Sequence, residues 1–273
     1  MPDRFDSWES YFYPETIDWT GQGTLRNKLD ERDADVLHIK EYARAAVRQR
    51  DLMAGTVDIA RTYDAAHVRA IHRHLFQDVY EWAGEYRTVN MSKGPGRGFG
   101  DVHTGEVDRY LTDVSRLVTA TEWGRLNHDQ LAGRAAEVFA YLNQAHPFRE
   151  GNGRTSKVFL EHVAERSRFT LDYDRMSPEV WNQASMLSAP DLNSYPPLPE
   201  SLVPVFRAIA QPRTTITAVT GQGDPHLAEL MRATYPRPAT EAARQGPDPT
   251  PGARYGSQPP QRRHPERETG YER

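Results

Sequence analysis

The chain has no cysteine in 273 residues. That excludes disulfides, thiolate metal sites and cysteine nucleophiles, and leaves the redox compartment open. It also lacks an excess of either charge. Lys and Arg number 34 against 38 Asp and Glu, a formal net charge of -4, so no global basic field draws a nucleic acid or an anionic membrane. No run of ~18 apolar residues offers a membrane span. The start, MPDRFDSWESYFYPETIDW, is acidic and aromatic and has none of the apolar core of a secretory signal. A cytoplasmic protein is expected, with export by other signals left open. Large apolar residues are scarce as well: 37% of the chain is hydrophobic and the mean hydropathy is -0.77, low for a chain globular throughout. A packed part diluted by a polar part accounts for both figures.

The dilution is local. From Pro212 to Arg273 the sequence turns to Pro, Gly, Arg, Thr and Gln. Stretches such as PDPTPGARYGSQPPQRRHPERETG cannot bury enough surface to offset the entropy of ordering them. Residues 212–273 therefore read as a disordered tail, with one short helical pattern at 226–234, and residues 1–211 as the folded domain. There is no internal repeat.

The domain reads as all-α. Residues 35–53 carry Val36, Ile39, Tyr42, Ala43, Ala46 and Val47 at helical spacing. Residues 64–82 carry Val68, Ile71, Leu75, Val79 and Trp82 behind a candidate N-cap, Asp64. Further helices are expected over 104–121 with Thr104 as cap, 127–145, 152–167, 178–188 behind Ser177 with Pro178 at the first helical position, and 199–210. Between the second and third lies YRTVNMSKGPGRGFGDV, residues 86–102. It begins with β-favouring residues and continues into four glycines and a proline, so it reads as a hairpin or flap projecting from the helical body.

The chemistry concentrates in His146-Pro147-Phe148-Arg149-Glu150-Gly151-Asn152-Gly153-Arg154. An imidazole suits proton acceptance near neutral pH. Pro147 biases His146 towards an extended backbone. Glycines allow close backbone approach to a ligand, and successive N–H groups at a helix N-terminus form an anion hole. Arg154 in the first turn opposes the helix dipole unless an anion sits with it. Glu150 could ligate Mg²⁺, which prefers one or two carboxylates plus phosphate oxygens. A helix-ending histidine beside a solvated loop is the bland alternative; the whole nonamer is more specific than a bare Gly-Asn-Gly.

HPFREGNGR closely resembles the signature of Fic-domain proteins, His-Pro-Phe-x-Asp/Glu-Gly-Asn-Gly-Arg-x-x-Arg. DVYEWAGEYRTVNMSKG resembles the helix and hairpin flap that precede it in that family, and YFYPETI and TLRNKL resemble its N-terminal segments. The similarity covers roughly residues 10–210 and leaves the tail outside. It implies a Fic-fold helical bundle with a short β-hairpin flap. The activity implied is protein adenylyltransferase: AMP moves from ATP to a Ser, Thr or Tyr hydroxyl of a target protein. His146 would deprotonate that hydroxyl, Phe148 would anchor the loop, and Glu150 would hold Mg²⁺ against the phosphates. Gly151, Asn152 and Gly153 would form the anion hole and Arg154 would clamp a phosphate. The flap residues Thr88, Val89, Asn90 and Met91 would pair with an extended target segment, with Ser92 and Lys93 beside the nucleotide.

The signature's last Arg is Lys157 here, which keeps the charge and loses the bidentate fork. Transfer of UMP or phosphate is therefore one alternative, and a non-catalytic partner-binding module is another. Many relatives are restrained by Ser/Thr-x-x-x-Glu-Gly/Asn. The only Glu followed by Gly or Asn in this chain is Glu150 itself, which points to a toxin restrained by a separate small antitoxin. Among weaker signals, His72 and His74 lie two apart on a helix and so point apart, a poor metal step. Trp181 and Asn182 read as a core tryptophan and a solvated amide, against the alternative that they border an adenine. Lys28 reads as a solvated lysine, against a place at the mouth of the nucleotide site. Arg262 and Arg263 read as part of a solubilising tail.

Overall fold

The computed structural model describes residues 5–92 and 98–213; Lys93, the helical pattern at 226–234 and the rest of the tail from 214 lie outside the described residues. Seven α-helices and one two-stranded sheet make up the regular structure of the described residues, together with short 3-10 turns. The all-α expectation therefore holds for the body.

Helix α1 spans Ala34–Met53 behind Asp33, whose carboxylate accepts from the backbone N–H groups of Asp35 and Val36. Its buried face differs from the expected one. Leu37, Glu41, Ala45 and Gln49 point inward, while Ile39 is 68% exposed and Val47 50% exposed. The reason is a buried ion pair of Glu41, described below, which rotates the helix so that small and polar residues face the body. Helix α2, Ala65–Phe76, starts on Asp64 as expected and stops earlier than expected. Val79 and Tyr80 both donate to the Phe76 carbonyl, closing the helix in turns, and Gly84 (φ +83°) lies beyond. Val79 and Trp82 are nonetheless core residues.

Helix α3, Glu106–Ala120, is capped by Gly105 in a left-handed conformation rather than by Thr104; the preceding turn closes through Asp101, which accepts from His103 and Thr104. Helix α4, His128–Ala145, opens on a capping box, Asn127 with Gln130. Such a box satisfies two orphan donors and is worth about 1 kcal/mol. Helices α5 (Asn152–Ala164), α6 (Pro178–Leu187, capped by Ser177) and α7 (Val203–Ile209) complete the bundle. α4 runs through its centre: Ala132, Ala135, Ala136, Val138, Phe139, Ala140 and Leu142 are all sealed from solvent. It packs on α3, α5 and α7, and its alanines allow close approach.

The sequence reading missed the sheet. Strands β1 (Phe169–Leu171) and β2 (Ala210–Pro212) pair antiparallel, Phe169 opposite Pro212. The Arg213 N–H donates to Arg168. Three-residue strands leave no periodic signal. Ordered structure therefore continues into the first residues of the stretch that composition assigns to the tail. The flap closes as a hairpin through one bridge, Ser92 with Gly98, and the Phe99 N–H donates to Met91.

Candidate active site

The end of α4 and the start of α5 frame the nonamer. His146 is the C-cap of α4, and its N–H donates to Leu142. Its backbone is left-handed, φ 40° and ψ 57°, not extended. The bias of a residue before proline is overridden here by the helix-closing bond, and by the Arg87 guanidinium, which donates to the His146 carbonyl at 2.8 Å. A non-glycine residue held at positive φ is uncommon and costs strain that its surroundings must offset. The imidazole is 3% exposed, and Phe99 of the flap stacks on it at 3.6 Å with an interplanar angle of 10°.

The loop that follows is moulded by α2. Phe148 is fully buried, and the His72 ring stacks on it at 3.7 Å. His72 donates from Nε2 to the Glu150 carbonyl at 3.0 Å and accepts at Nδ1 from Gly84 N–H at 2.8 Å. Those bonds fix one neutral tautomer, and burial drives the imidazole pKa down to about 3. His74 turns away and bonds to the Arg48 carbonyl. The His-x-His step is thus structural, and no group of three metal-ligating side chains gathers among the described residues.

Gly151 caps α5 at φ +81°, and a Cβ there would lie 2.4 Å from the Phe76 ring. Only glycine fits. The Asn152 side chain turns inward. Its Oδ1 accepts from Phe148 N–H and its Nδ2 donates to the Phe148 carbonyl, so the side chain braces the loop and leaves only its backbone N–H to the anion hole.

The charges sit on top. Arg154 is 7% exposed and pairs with Glu41 of α1, which also accepts from the Tyr80 hydroxyl. Burial works against the Arg154 cation, but Glu41, Tyr42 and Glu150 more than offset it and hold its pKa above the ordinary value. Glu150 lies 3.9 Å from the same guanidinium. Burial first, then the Glu41 carboxylate, pushes the Glu150 pKa up. Its Oε1 accepts from Gly151 N–H, whereas its Oε2, the Arg154 Nη1 and the Thr155 hydroxyl are buried without a hydrogen-bond partner among the described residues. Orphaned buried groups of opposite charge at a helix N-terminus fit a ligand that carries both phosphate oxygens and a cation.

Lys157 follows one turn later on α5. It is 4% exposed, its Nζ is 4.8 Å from the Tyr173 ring centre and 5.0 Å from that of Trp181, and burial pulls its pKa down to about 8. Trp181 is core, packed on Phe139, Tyr173 and Phe206. Lys28 donates to the Gln77 carbonyl. In the flap, the Thr88 N–H is taken by the Tyr11 hydroxyl, its own hydroxyl by the Phe5 carbonyl, and the Val89 carbonyl by Arg87. Asn90 ties to Asp101 and Val102, Met91 is buried, and Ser92 is exposed.

Sequence reasoning missed three members of the site: Glu41, Arg87 and Arg149. Glu41 had a signal, a carboxylate at four-residue spacing with Leu37 and Ala45. Arg149 is sealed under Trp8, Tyr11 and Phe12, with its carbon 3.9 Å from the Trp8 ring centre, and burial lowers its pKa to about 10. It rivets the N-terminal segment to the loop.

The Fic/DOC family pattern matches residues 62–164. The protein adenylyltransferase VbhT of Bartonella schoenbuchensis is 32% identical over 181 residues, 66% of this chain. The chain spans only 36% of the length of VbhT. The probable protein adenylyltransferase y4lH of Sinorhizobium fredii is 34% identical over 173 residues, 62% of this chain and 85% of that protein. Among solved structures, the N-terminal Fic domain of a VirB-translocated Bep effector from Bartonella quintana, with bound ADP, superposes with a TM-score of 0.61 at 28% identity, covering 75% of this chain and 96% of that one.

Proposed function

We propose that this chain, which belongs to the Fic/DOC family, is a protein adenylyltransferase that moves AMP from ATP onto a Ser, Thr or Tyr hydroxyl of a target protein. The observation that carries the reading is the pair of unsatisfied buried groups, Glu150 Oε2 and Arg154 Nη1, at the start of α5 in the loop that His146 begins. A phosphate chain between them is positioned for attack beside a base.

In the reaction the target oxygen bonds to the α-phosphorus, and the bond from that phosphorus to the α–β bridging oxygen breaks. Pyrophosphate leaves with the electron pair, and the hydroxyl proton passes to His146. Such a displacement needs alignment and charge neutralisation rather than covalent chemistry by the protein. Arg154 neutralises phosphate charge. The backbone N–H groups of Asn152 and Gly153, in the first turn of α5, would receive the same anion, whereas the Gly151 N–H, expected to join them, already donates to Glu150 Oε1. Glu150 is the residue that would hold Mg²⁺, which would supply further neutralisation of the phosphates. One carboxylate with phosphate oxygens suits Mg²⁺, and Glu150 Oε2 is available for it.

The target segment adds to the flap as a strand. With Thr88 and Val89 engaged inside the protein, the docking edge among the described residues is Asn90, Met91 and Ser92. ATP places the reaction in a cytoplasm, that of the producing cell or of a cell the protein is exported to. The protein is a toxin, restrained in its own cell by a separate antitoxin carrying Ser/Thr-x-x-x-Glu-Gly/Asn. The support is that no such motif occurs within these 273 residues.

Lys157 gives the alternative donors a specific footing, since its amine packs near the Tyr173 and Trp181 rings and lacks the fork of an arginine. Incubation of the chain and of H146A with cell extract and α-labelled ATP, γ-labelled ATP or α-labelled UTP decides. Label from α-labelled ATP alone, lost in H146A, supports adenylyl transfer. Label from γ-labelled ATP or from UTP replaces it with phosphate or UMP transfer, and no label in any arm returns the chain to the class of binding modules.

A further inference from the structure

We propose that Arg87 and Phe99 are positioning residues that lock the flap to the His146 imidazole, so that the register of the docked target fixes the orientation of the base. The proposal rests on the reading of His146 as the base.

Arg87 is 2% exposed, at the root of the flap's first arm. Its Nε donates to the His146 carbonyl at 2.8 Å and its Nη1 to the Val89 carbonyl at 2.7 Å. Its Nη2 donates to the Gly100 carbonyl, on the second arm, and its backbone N–H to Pro147 at 2.8 Å. One planar guanidinium therefore touches both arms of the flap and the backbone of the base. All three of these side-chain bonds go to carbonyls, and no carboxylate lies within salt-bridge distance of Arg87 among the described residues. A buried cation with no carboxylate in contact is costly, and burial, only partly offset by Tyr11 and Asp101, lowers its pKa to about 10. A neutral residue could brace a hairpin more cheaply. The fork geometry is what Arg adds, since five fixed N–H groups can address three carbonyls at once.

The second arm is tied to the same helix end. Gln144 Nε2 donates to the Gly98 carbonyl at 2.9 Å, and Gly100 N–H donates to the Gln144 carbonyl at 2.8 Å. Phe99, between these bonds, lays its ring on the imidazole of His146. Imidazole rotates about two side-chain torsions, and the second is broad. A parallel ring at 3.6 Å removes much of that freedom. Any shift of the hairpin arms thus carries Phe99, and with it the plane of the base.

The test uses the full chain, ATP with Mg²⁺ as the nucleotide probe, and cell extract as the protein probe. In R87M the amides of Phe99 and Gly100 exchange with solvent more than about tenfold faster, while those of the α4 interior do not change. The transfer rate constant falls roughly 100-fold, the scale of a misplacement near 1 Å, with the KM for ATP within about twofold of wild type. F99A lowers the rate by about tenfold with ATP affinity intact, and F99Y, which keeps the ring, restores it. Wild-type rates in both R87M and F99A overturn the proposal, as does a loss of ATP affinity in step with the rate. Should R87M not fold, F99A against F99Y decides alone. Should the wild type label no protein, adenylyl transfer fails as a reading. The lock is then judged by amide exchange and by the imidazole nitrogen resonances of His146, which become averaged in F99A if Phe99 holds the ring and stay unchanged if it does not.

Discussion

The loop from Phe148 to Arg154 and the flap from Tyr86 to Val102 meet at His146, and they are held by different means. Side chains from three helices hold the loop. Phe76 and His72 of α2 fill the space under Gly151 and fix the Glu150 carbonyl, Asn152 of α5 braces Phe148, and Glu41 of α1 fixes Arg154. The flap is held at its root, by Arg87, Gln144 and the stack of Phe99, while Asn90 and Ser92 face solvent. On the proposed function, the half of the site that would meet a phosphate chain is built in advance, and the half that would meet a protein segment keeps an open edge. Preorganised charge serves chemistry; an unpaired strand edge serves recognition.

Five substitutions or conditions press on that contrast, in falling order of effect. H146A removes the base and lowers transfer by about 10²–10⁴-fold while ATP affinity in calorimetry stays near wild type. E41A leaves the Arg154 guanidinium buried without its main partner and costs about 3–5 kcal/mol in denaturant unfolding. It also lowers the Glu150 pKa, because the Glu41 carboxylate helps to raise it. G151A forces a Cβ into the Phe76 ring at positive φ and costs about 2–4 kcal/mol, part of which returns in the double variant with F76L. If G151A were as stable as wild type, the loop would not be moulded as described.

Acid comes next. His67 donates from Nε2 to His162 Nδ1 at 2.9 Å, and burial lowers these imidazoles to about 4 and about 3 and His72 to about 3, all from near 6.5. The unfolded chain takes up these three protons below about pH 6.5 and the folded chain does not, so stability falls as pH drops from there towards 4. Glu161, raised by burial to about 7, acts in the opposite sense between about 4.5 and 7, because the folded state then binds its proton more tightly. Glu150, also raised by burial, acts in the same sense as Glu161; three imidazoles against these two carboxyls still give a net loss, read as a lower urea midpoint at pH 5 than at pH 7. An unchanged midpoint contradicts the buried neutral imidazoles. The smallest effect belongs to the flap surface: N90A, losing its bonds to Asp101 and Val102, costs about 0.5–1.5 kcal/mol and does not alter ATP affinity.

Legibility in the sequence followed the same division. Helix starts came through where the expected cap bonds the first turn, as at Asp64 and Ser177; ends and the Thr104 cap did not. α1 misled because its most apolar stripe is its exposed one; the helix is oriented by Glu41, whose partner lies 113 residues away in sequence. The nonamer announced its chemistry, but the roles inside it shifted. Asn152 braces Phe148 and His146 is left-handed, because hydrogen bonds made in the fold, not residue type, decide each; Lys157, three residues beyond the nonamer, packs against Tyr173 and Trp181. Arg87 left no local signal, since its partners are backbone carbonyls of three separate segments, which any sequence supplies.

The most direct test of the account is residue-level mass spectrometry of cell proteins after incubation with the chain and ATP. It predicts a hydroxyl-bearing residue that gains the mass of one AMP group with the wild type and gains nothing with H146A. A gain matching a phosphate or UMP group, or an AMP adduct that persists in H146A, would contradict it.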